Sequence, residues 1–199
     1  MSVDADSENR VRLPDEDLML AYGKGDVEAF DVLYARHKDR LYRYFVKSTG
    51  AEPIARELFQ DVWMKLIQHR ADYQPTAAFT TWFYRIARNR LTDHYRQQQR
   101  HESHDPLPDD EPVAPESTVT VIAAPLQPDE LAAICEREDL VNGALATLTT
   151  AQREAVMLKH LCGLTVDEVA EVTGDKSETV KSRLRYAFTR LRQQLRVNR

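Results

Sequence analysis

The chain has 199 residues, of which 42% are hydrophobic and 30% are charged, and its formal net charge is -5 at pH 7. This length allows one domain or two small ones, and the composition is typical of globular chains rather than disordered or fibrous ones. No apolar run approaches the roughly 20 residues of a membrane-spanning helix, and the first 13 residues lack the apolar core of a signal peptide. We therefore expect a cytoplasmic protein without membrane insertion. We expect an all-α fold, because helix-favouring residues predominate and glycine is scarce.

Charge is distributed unevenly along this sequence. Between His101 and Asp139 there are eleven acids and one base, a net charge of -10, which leaves +5 for the other 160 residues. Residues 80–100 carry +4 and residues 176–199 carry +7. Screening limits electrostatic attraction to about 8 Å at physiological salt, so local patches decide what is bound. Two basic segments on either side of an acidic one indicate a nucleic-acid-binding chain.

Aromatic residues and prolines divide the chain into domains. Fourteen of the sixteen aromatic residues precede residue 100, and six of the nine prolines lie in the acidic stretch. Proline removes backbone donors and repelling carboxylates extend the chain, so this stretch is interpreted as a linker. The sequence thus predicts two small helical domains joined by an acidic, proline-rich linker. The boundaries are a flexible N-terminus at 1–14, a helical bundle at 15–100, the linker at 101–128 and a C-terminal domain at 129–199.

Three amphipathic helices are predicted in the N-terminal domain. The first spans 26–47, the second begins near Pro53 and the third spans 79–99. Short helices bury their apolar faces only against one another, so these helices form a bundle. The apolar positions are Phe30, Leu33, Tyr34, Leu41 and Phe45 in the first helix, Ala55, Leu58, Phe59, Val62 and Leu66 in the second, and Phe79, Phe83, Ile86 and Ala87 in the third.

The third of these helices interleaves aromatic residues with arginines. Trp82, Phe83 and Tyr84 are consecutive, and consecutive helical residues cannot all face one core, so at least one should be exposed. Exposed aromatic rings beside arginines can stack on unpaired bases, each stack contributing about 1–3 kcal/mol. A packed helix with a solvated basic face explains the same pattern, and both interpretations stay open at this point.

Four helices are predicted in the C-terminal half. A lead-in helix reaches Leu148, and a second helix spans 151–161. Thr165 and Glu168 form a capping box that begins the third helix. The last helix begins near Ser177, and its apolar positions are Val180, Leu184, Ala187, Leu191 and Leu195.

The spacing of Ala170, Gly174 and Val180 is typical of a helix-turn-helix. A small residue lets the two helices cross closely, glycine permits the tight turn, and an apolar residue packs the pair. The second helix would enter the major groove, where arginine and lysine reach guanine edges or phosphates. Its exposed residues would be Lys181, Ser182, Arg183, Arg185 and Tyr186. An ordinary three-helix scaffold with a basic surface is the alternative.

Three segments of the chain resemble the extracytoplasmic-function group of bacterial sigma factors, within the sigma-70 family. Residues 57–63 (ELFQDVW) are similar to the family's polymerase-binding helix, and residues 79–89 (FTTWFYRIARN) to its promoter-melting and -10 recognition segment. Residues 164–184 are similar to its -35-reading helix-turn-helix. Asp175 departs from the pattern, because the family usually has an apolar residue just after the turn glycine.

The resemblance implies a protein that binds core RNA polymerase, recognises the -35 and -10 promoter elements, and promotes promoter melting and transcription initiation. It implies an anti-sigma factor as a further partner, and no cofactor, metal or small-molecule substrate. The implied polymerase-binding residues are Glu57, Leu58, Gln60, Asp61, Trp63 and Lys65. The implied -10 contacts are Tyr73, Trp82, Arg85, Arg88, Asn89 and Arg96. The implied -35 contacts are Thr179, Lys181, Ser182, Arg183, Arg185 and Tyr186.

Two other classes of protein were weighed against this one. A conventional helix-turn-helix regulator, with an N-terminal bundle that senses a ligand or dimerises, explains the C-terminal half but not the aromatic, basic helix. An enzyme would need a nucleophile with its base, a phosphate loop or a set of metal ligands. The candidate groups His94 beside Asp93, His101 with His104, and Cys162 form none of these, so no enzymatic activity is expected.

Overall fold

The protein is described by a computed structural model that covers residues 10–102 and 140–197. Most of the predicted N-terminal segment, most of the predicted linker and the first part of the lead-in helix lie outside these residues. Within the described ranges the chain consists of helices and short connections without a strand, which confirms the all-α prediction.

Between residues 15 and 102 the N-terminal domain contains four helices: α1 at Asp15–Gly23, α2 at Val27–Thr49, α3 at Glu52–Gln68 and α4 at Phe79–Glu102. Helices α2, α3 and α4 match the three that the apolar spacing predicts. Helix α1 is an addition that the sequence analysis did not include. It packs against α2 and α4, so it closes one side of the bundle.

The ends of these helices are set by particular polar groups and a glycine. The Asp26 carboxylate accepts a hydrogen bond from the backbone N–H of Ala29, which begins α2. Gly50 ends α2 in the left-handed conformation with φ of 68°. Helix α4 is capped across the bundle, because the backbone N–H of Phe79 donates to Glu16 Oε1 at 2.6 Å.

The C-terminal domain contains four helices in its described part. Residues 140–146 form α5, and α6 at Thr150–Val156 continues as a π-helical turn over Met157–Leu161. Helix α7 spans Val166–Thr173 and α8 spans Ser177–Val197. Helix α8 packs against α6 and α7, which gives this domain its core.

The helix-turn-helix is formed by α7 and α8. The predicted capping box is present, since Thr165 and Glu168 exchange hydrogen bonds between side chain and backbone. Gly174 ends α7 with φ of 74°, and Val180 is fully buried between the helices. One predicted core position is wrong: Leu195 is 40% exposed, as it lies in the last turn of α8 and not under the neighbouring helices.

The two domains pack directly against each other. Helix α4 lies against α7, and α2 lies against the π-helical turn, so one cluster of buried apolar residues runs through both domains. This packing corrects the expectation for the three consecutive aromatic residues of α4. Phe83 faces the N-terminal core, Tyr84 is equally buried, and Trp82 is half-buried, so none is fully exposed. The prediction assumed one core, whereas α4 is covered on two sides.

The cores are dominated by large apolar side chains. In the N-terminal domain the most deeply buried are Leu18, Met19, Leu33, Leu41, Tyr44, Phe45, Leu58, Leu66, Phe79, Phe83 and Tyr84. In the C-terminal domain they include Ala155, Leu158, Leu164, Val169, Val180 and Ala187. Among the helices of the described residues, none is long and apolar enough to cross a lipid bilayer.

Candidate nucleic-acid interface

Helix α3 presents a polar face to solvent. Glu57 and Gln60 are exposed, and Met64, one turn further along, is 53% exposed. Met64 was missed by the sequence analysis, although its spacing from Gln60 places it on the same face. Lys65 is half-buried at the edge of this face.

Two of the residues predicted to contact polymerase lie inside the bundle. Leu58 is 2% exposed and Trp63 is 5% exposed. The Trp63 ring packs against Phe83 and Tyr34 at centroid distances of 5.0 and 4.9 Å. These two side chains therefore attach the inner face of α3 to the core of the bundle. A direct contact between them and a partner would require α3 to move.

Asp61 joins α3 to α4. Its carboxylate accepts a hydrogen bond from the Arg90 guanidinium, and both side chains are only partly exposed. The acidic charge of Asp61 is thus compensated within the domain, whereas Glu57 has its side chain in solvent.

Near the start of α4, Trp82 and Tyr73 form an aromatic pair. Their ring centroids lie 5.0 Å apart in an edge-to-face arrangement, and Phe79 packs against both rings. Burial, followed by the negative charges of Glu16 and Asp15, raises the pKa of Tyr73 to about 12, so its hydroxyl stays protonated. That hydroxyl is buried without a hydrogen-bond partner among the described residues.

One face of α4 carries the predicted -10 contacts. Trp82, Arg85, Asn89 and Arg96 are three, four and seven residues apart, which places them along one side of the helix. Arg85, Asn89 and Arg96 are exposed, and Arg88 is half-buried beside them.

Acids of the C-terminal domain already bind part of this face. Arg85 Nη2 donates to Glu171 Oε1 at 2.9 Å, and Arg88 Nε donates to Glu154 Oε1 at 2.7 Å. Local sequence patterns do not predict these pairs, since their members are 86 and 66 residues apart in the chain.

Helix α8 presents most of the predicted -35 contacts to solvent. Thr179, Lys181 and Arg185 are exposed, Tyr186 is 58% exposed, and Ser182 is half-buried. The guanidinium of Arg185 lies 5.2 Å from the centre of the Tyr186 ring. The exposed side of this helix is therefore basic, with one aromatic ring.

Arg183 is held differently from its neighbours on α8. Both of its terminal nitrogens donate to the Asp175 carboxylate, and the Nη2 to Oδ1 distance is 3.0 Å. The hydrogen bond from Arg183 holds the pKa of Asp175 below its ordinary value of 3.8. Asp175 stands where the family resemblance has an apolar residue, and the structure gives it this partner.

Two further features of the described residues concern metal-binding groups and the buried cysteine. No group of three or more histidine, cysteine or acidic side chains is placed to hold a metal ion in residues 10–102 and 140–197. Cys162 is 2% exposed, and burial raises the pKa of its thiol to about 12, which leaves it protonated and unreactive in this conformation.

Comparison with protein families matches each half of the chain. Residues 33–101 match the family Sigma-70 region 2, and residues 139–191 match Sigma-70, region 4. The ECF RNA polymerase sigma factor RpoE of Cereibacter sphaeroides is 31% identical over 85% of this chain and 88% of its own. The ECF RNA polymerase sigma factor SigM of Mycobacterium tuberculosis is 29% identical over 89% of this chain and 82% of its own.

A solved structure has the same fold. The sigma factor RpoE of Bartonella quintana, crystallised with the anti-sigma factor NepR, superposes with a TM-score of 0.65 at 24% identity. The match covers 85% of this chain and 98% of that one. This chain therefore shares its overall fold with that solved structure.

Proposed function

The chain belongs to the extracytoplasmic-function sigma factors of the sigma-70 family, and we propose that its two domains divide the work of polymerase binding and promoter recognition. The N-terminal domain, 15–100, binds core RNA polymerase through α3 and reads the -10 element with α4. The C-terminal domain, 129–199, reads the -35 element with α8. The single observation that carries this division is the presence of two separate basic helices, one of them with an aromatic pair, in one chain.

Polymerase binding is assigned to the exposed face of α3. Glu57, Gln60 and Met64 combine an acid, an amide and an apolar side chain, which suits a protein interface with an apolar centre and a polar rim. Leu58 and Trp63 hold this face in place from the core. Asp61 and Lys65 lie at its edges.

Reading of the -10 element is assigned to Trp82, Tyr73 and the arginine face of α4. A base leaving the duplex costs a few kcal/mol. Stacking on an aromatic ring returns about 1–3 kcal/mol. The Tyr73 hydroxyl, which has no hydrogen-bond partner within residues 10–102 and 140–197, supplies a hydrogen-bonding group for a base edge. Asn89 adds an amide on the same face of the helix, with donors and an acceptor for another base edge.

Reading of the -35 element is assigned to α8 in the major groove. Lys181 and Arg185 are the exposed bases, and Thr179, Ser182 and Tyr186 add hydroxyl groups. Contacts of this kind divide between phosphates, which fix position, and base edges, which specify sequence. Arg183 also contacts the -35 element once its hydrogen bonds to the Asp175 carboxylate are broken.

An anti-sigma protein is proposed as a regulatory partner, since the B. quintana factor of the same fold was crystallised with one. Promoter DNA and core polymerase are the other partners, and no small-molecule substrate, cofactor or catalytic activity is assigned. A protein that works on polymerase and DNA acts in the bacterial cytoplasm, which is the location we propose.

The polymerase-binding face is tested by co-elution with purified bacterial core RNA polymerase. Glu57→Arg reverses the acidic charge on this face and should weaken binding at least tenfold, about 1.4 kcal/mol. Asp39→Arg, an exposed acid on α2, is the matched control and should bind like the wild type. Asp61 is a poor choice for this purpose, because its reversal places two arginines together at the contact with Arg90.

Three results are informative in this experiment. Selective loss of binding by Glu57→Arg supports the assigned face. Equal binding by both variants contradicts it. Failure of the folded wild type to bind polymerase contradicts the whole assignment and leaves the helix-turn-helix as part of a conventional regulator.

A further inference from the structure

A cleft with a volume of about 600 Å³ lies where α2, α4 and α6 meet. Sites for small molecules in proteins typically have volumes of about 300–1,000 Å³. The buried part of the lining includes the apolar side chains of Leu91 and Met157. Tyr95 forms another part of it, and its hydroxyl donates to the Ser48 backbone carbonyl at 2.5 Å, which fixes the ring. Such a lining suits a ligand that carries an apolar ring.

A hydroxyl group without a partner also lines this cleft. Tyr44 of α2 is fully buried, and its hydroxyl has no hydrogen-bond partner within residues 10–102 and 140–197. Burial, followed by the negative charge of Glu154, raises the pKa of Tyr44 well above its ordinary value of 10, so the hydroxyl stays protonated. Buried polar groups in folded proteins almost always have a hydrogen-bond partner. The Tyr44 hydroxyl is therefore a hydrogen-bonding group for a ligand in the cleft.

The charged side chains of the lining favour an anion. They are the guanidinium groups of Arg88 and Arg153 and the carboxylate of Glu154. Arg88 Nε donates to Glu154 Oε1 at 2.7 Å, so the charges of this pair cancel. Arg153 instead donates to the backbone carbonyls of Leu145 and Ala146, at 3.1 and 3.3 Å, and forms no ion pair within the described ranges. One fixed guanidinium with an uncompensated charge thus remains, and such groups bind carboxylate and phosphate oxygens.

We propose that this cleft is a binding site for a small organic anion that joins an aromatic ring to an acidic group. The ring lies against Leu91, Met157 and Tyr95, and the acidic group lies beside Arg153. The Tyr44 hydroxyl supplies a further hydrogen bond. The site goes beyond the proposed function and does not depend on it, because Arg153, Tyr44 and Tyr95 have no assigned role in binding DNA or polymerase.

The experiment titrates the full chain with anilinonaphthalenesulfonate, an aromatic anion whose fluorescence rises in an apolar site. Phenylnaphthylamine has the same rings without the sulfonate and serves as the neutral control probe. We expect saturable binding of one sulfonate probe per chain. A wild-type chain with the circular dichroism of a folded helical protein and no saturable binding of this probe would overturn the proposal.

The anion-binding group is tested with Arg153→Gln. Loss of the guanidinium should weaken binding of the sulfonate probe about tenfold, and binding of the neutral probe should change less than about twofold. Arg43→Gln is the matched control. Arg43 also donates through Nε to a backbone carbonyl, that of Asp39 at 3.2 Å, but it does not line the cleft. This control makes the same change in net charge and should leave both affinities unchanged.

Two results with these variants would contradict the proposal. Equal weakening of the sulfonate probe by Arg153→Gln and Arg43→Gln would mean that overall charge, and not the cleft, governs binding. Equal weakening of both probes by Arg153→Gln would mean that this arginine supports the fold of the cleft and does not recognise an anion.

The location of the probe is tested on α4 with a second pair of variants. Gln97 and Gln98 are neighbouring exposed residues, of which Gln98 lines the cleft and Gln97 does not. Gln98→Glu should weaken binding of the sulfonate probe about threefold, because the added carboxylate repels it. Gln97→Glu makes the same change in net charge and should have a smaller effect. Equal effects of the two variants, or no effect of either, would overturn the assignment of the probe to this cleft.

Discussion

Helices α4 and α8 are the two basic helices assigned to DNA, and their charges are held in different ways. In α4 the arginines bind acids from other parts of the fold, as Arg85 binds Glu171 and Arg90 binds Asp61. In α8 the ion pairs are local, and Lys181 and Arg185 remain exposed. A basic segment in a sequence therefore does not establish an accessible basic surface. Helix α8 presents Lys181 and Arg185 to solvent, whereas Arg85 and Arg88 of α4 already bind carboxylates of the C-terminal domain.

The largest effect is expected from removing the side chain that joins α4 to both cores. Tyr84→Ala leaves a cavity and should lower the free energy of unfolding by about 3–5 kcal/mol in urea denaturation. Tyr84→Phe keeps the ring and removes only a hydroxyl that lies beside the Cys162 thiol, a weak hydrogen-bonding group, so it should change the free energy of unfolding by less than about 1 kcal/mol. Equal destabilisation by both variants would contradict the packing role of the ring.

A smaller effect is expected at the cap of α4. Glu16→Ala removes the acceptor for the Phe79 backbone N–H and should lower the free energy of unfolding by about 1–3 kcal/mol. Glu16→Gln retains an acceptor oxygen and should recover part of the loss, so a variant as unstable as Glu16→Ala would argue against the cap.

A modest effect is expected on α8 from releasing Arg183. Asp175→Asn removes the carboxylate that holds this guanidinium, and non-specific binding to duplex DNA should tighten about threefold, with a steeper dependence on salt. Fluorescence anisotropy over a salt series measures both quantities. The gain should disappear when Arg183→Ala is added, and a gain that persists would mean that the lost negative charge acted generally.

The smallest effect is a pH dependence that originates in α1. Burial alone would raise the pKa of Asp15, but hydrogen bonds from His37 and Arg36 outweigh burial and hold it below 3.8. A lowered pKa in the folded state stabilises the fold above about pH 4, and this stabilisation is lost as the pH falls towards the folded pKa. Urea midpoints between pH 6 and 3 should therefore depend less on pH in Asp15→Asn than in the wild type.

Local patterns predicted the helices and the turn well. Apolar spacing located α2, α3 and α4, and the capping box at Thr165 with Gly174 located α7, because these features depend on neighbours within a few residues. The same periodicity located Lys181, Arg185 and Tyr186 on the exposed side of α8, whereas Ser182 and Arg183, which were also predicted to be exposed, are half-buried.

Long-range packing was not predictable in this way. Tyr84 is buried because a second domain covers α4, and the pair of Arg88 with Glu154 joins residues 66 apart. Trp63 was predicted to contact polymerase together with its neighbours on α3, but its ring packs against Tyr34 of α2 and Phe83 of α4 inside the bundle. Such outcomes depend on how whole helices pack, which a periodic pattern along one helix does not specify.

In this structure the C-terminal domain binds arginines of α4, the helix assigned to -10 DNA. The most direct test of how α4 becomes available to DNA is the distance between the two domains in the free and polymerase-bound protein. Dyes at Asp39→Cys on α2 and Gln193→Cys on α8, with Cys135→Ser, report this distance by single-molecule energy transfer, and the buried Cys162 stays unlabelled. Because α4 packs against α7 in this structure, we expect one high-efficiency population for the free chain and a clear fall in efficiency when core polymerase is added. The same efficiency in both states would contradict it.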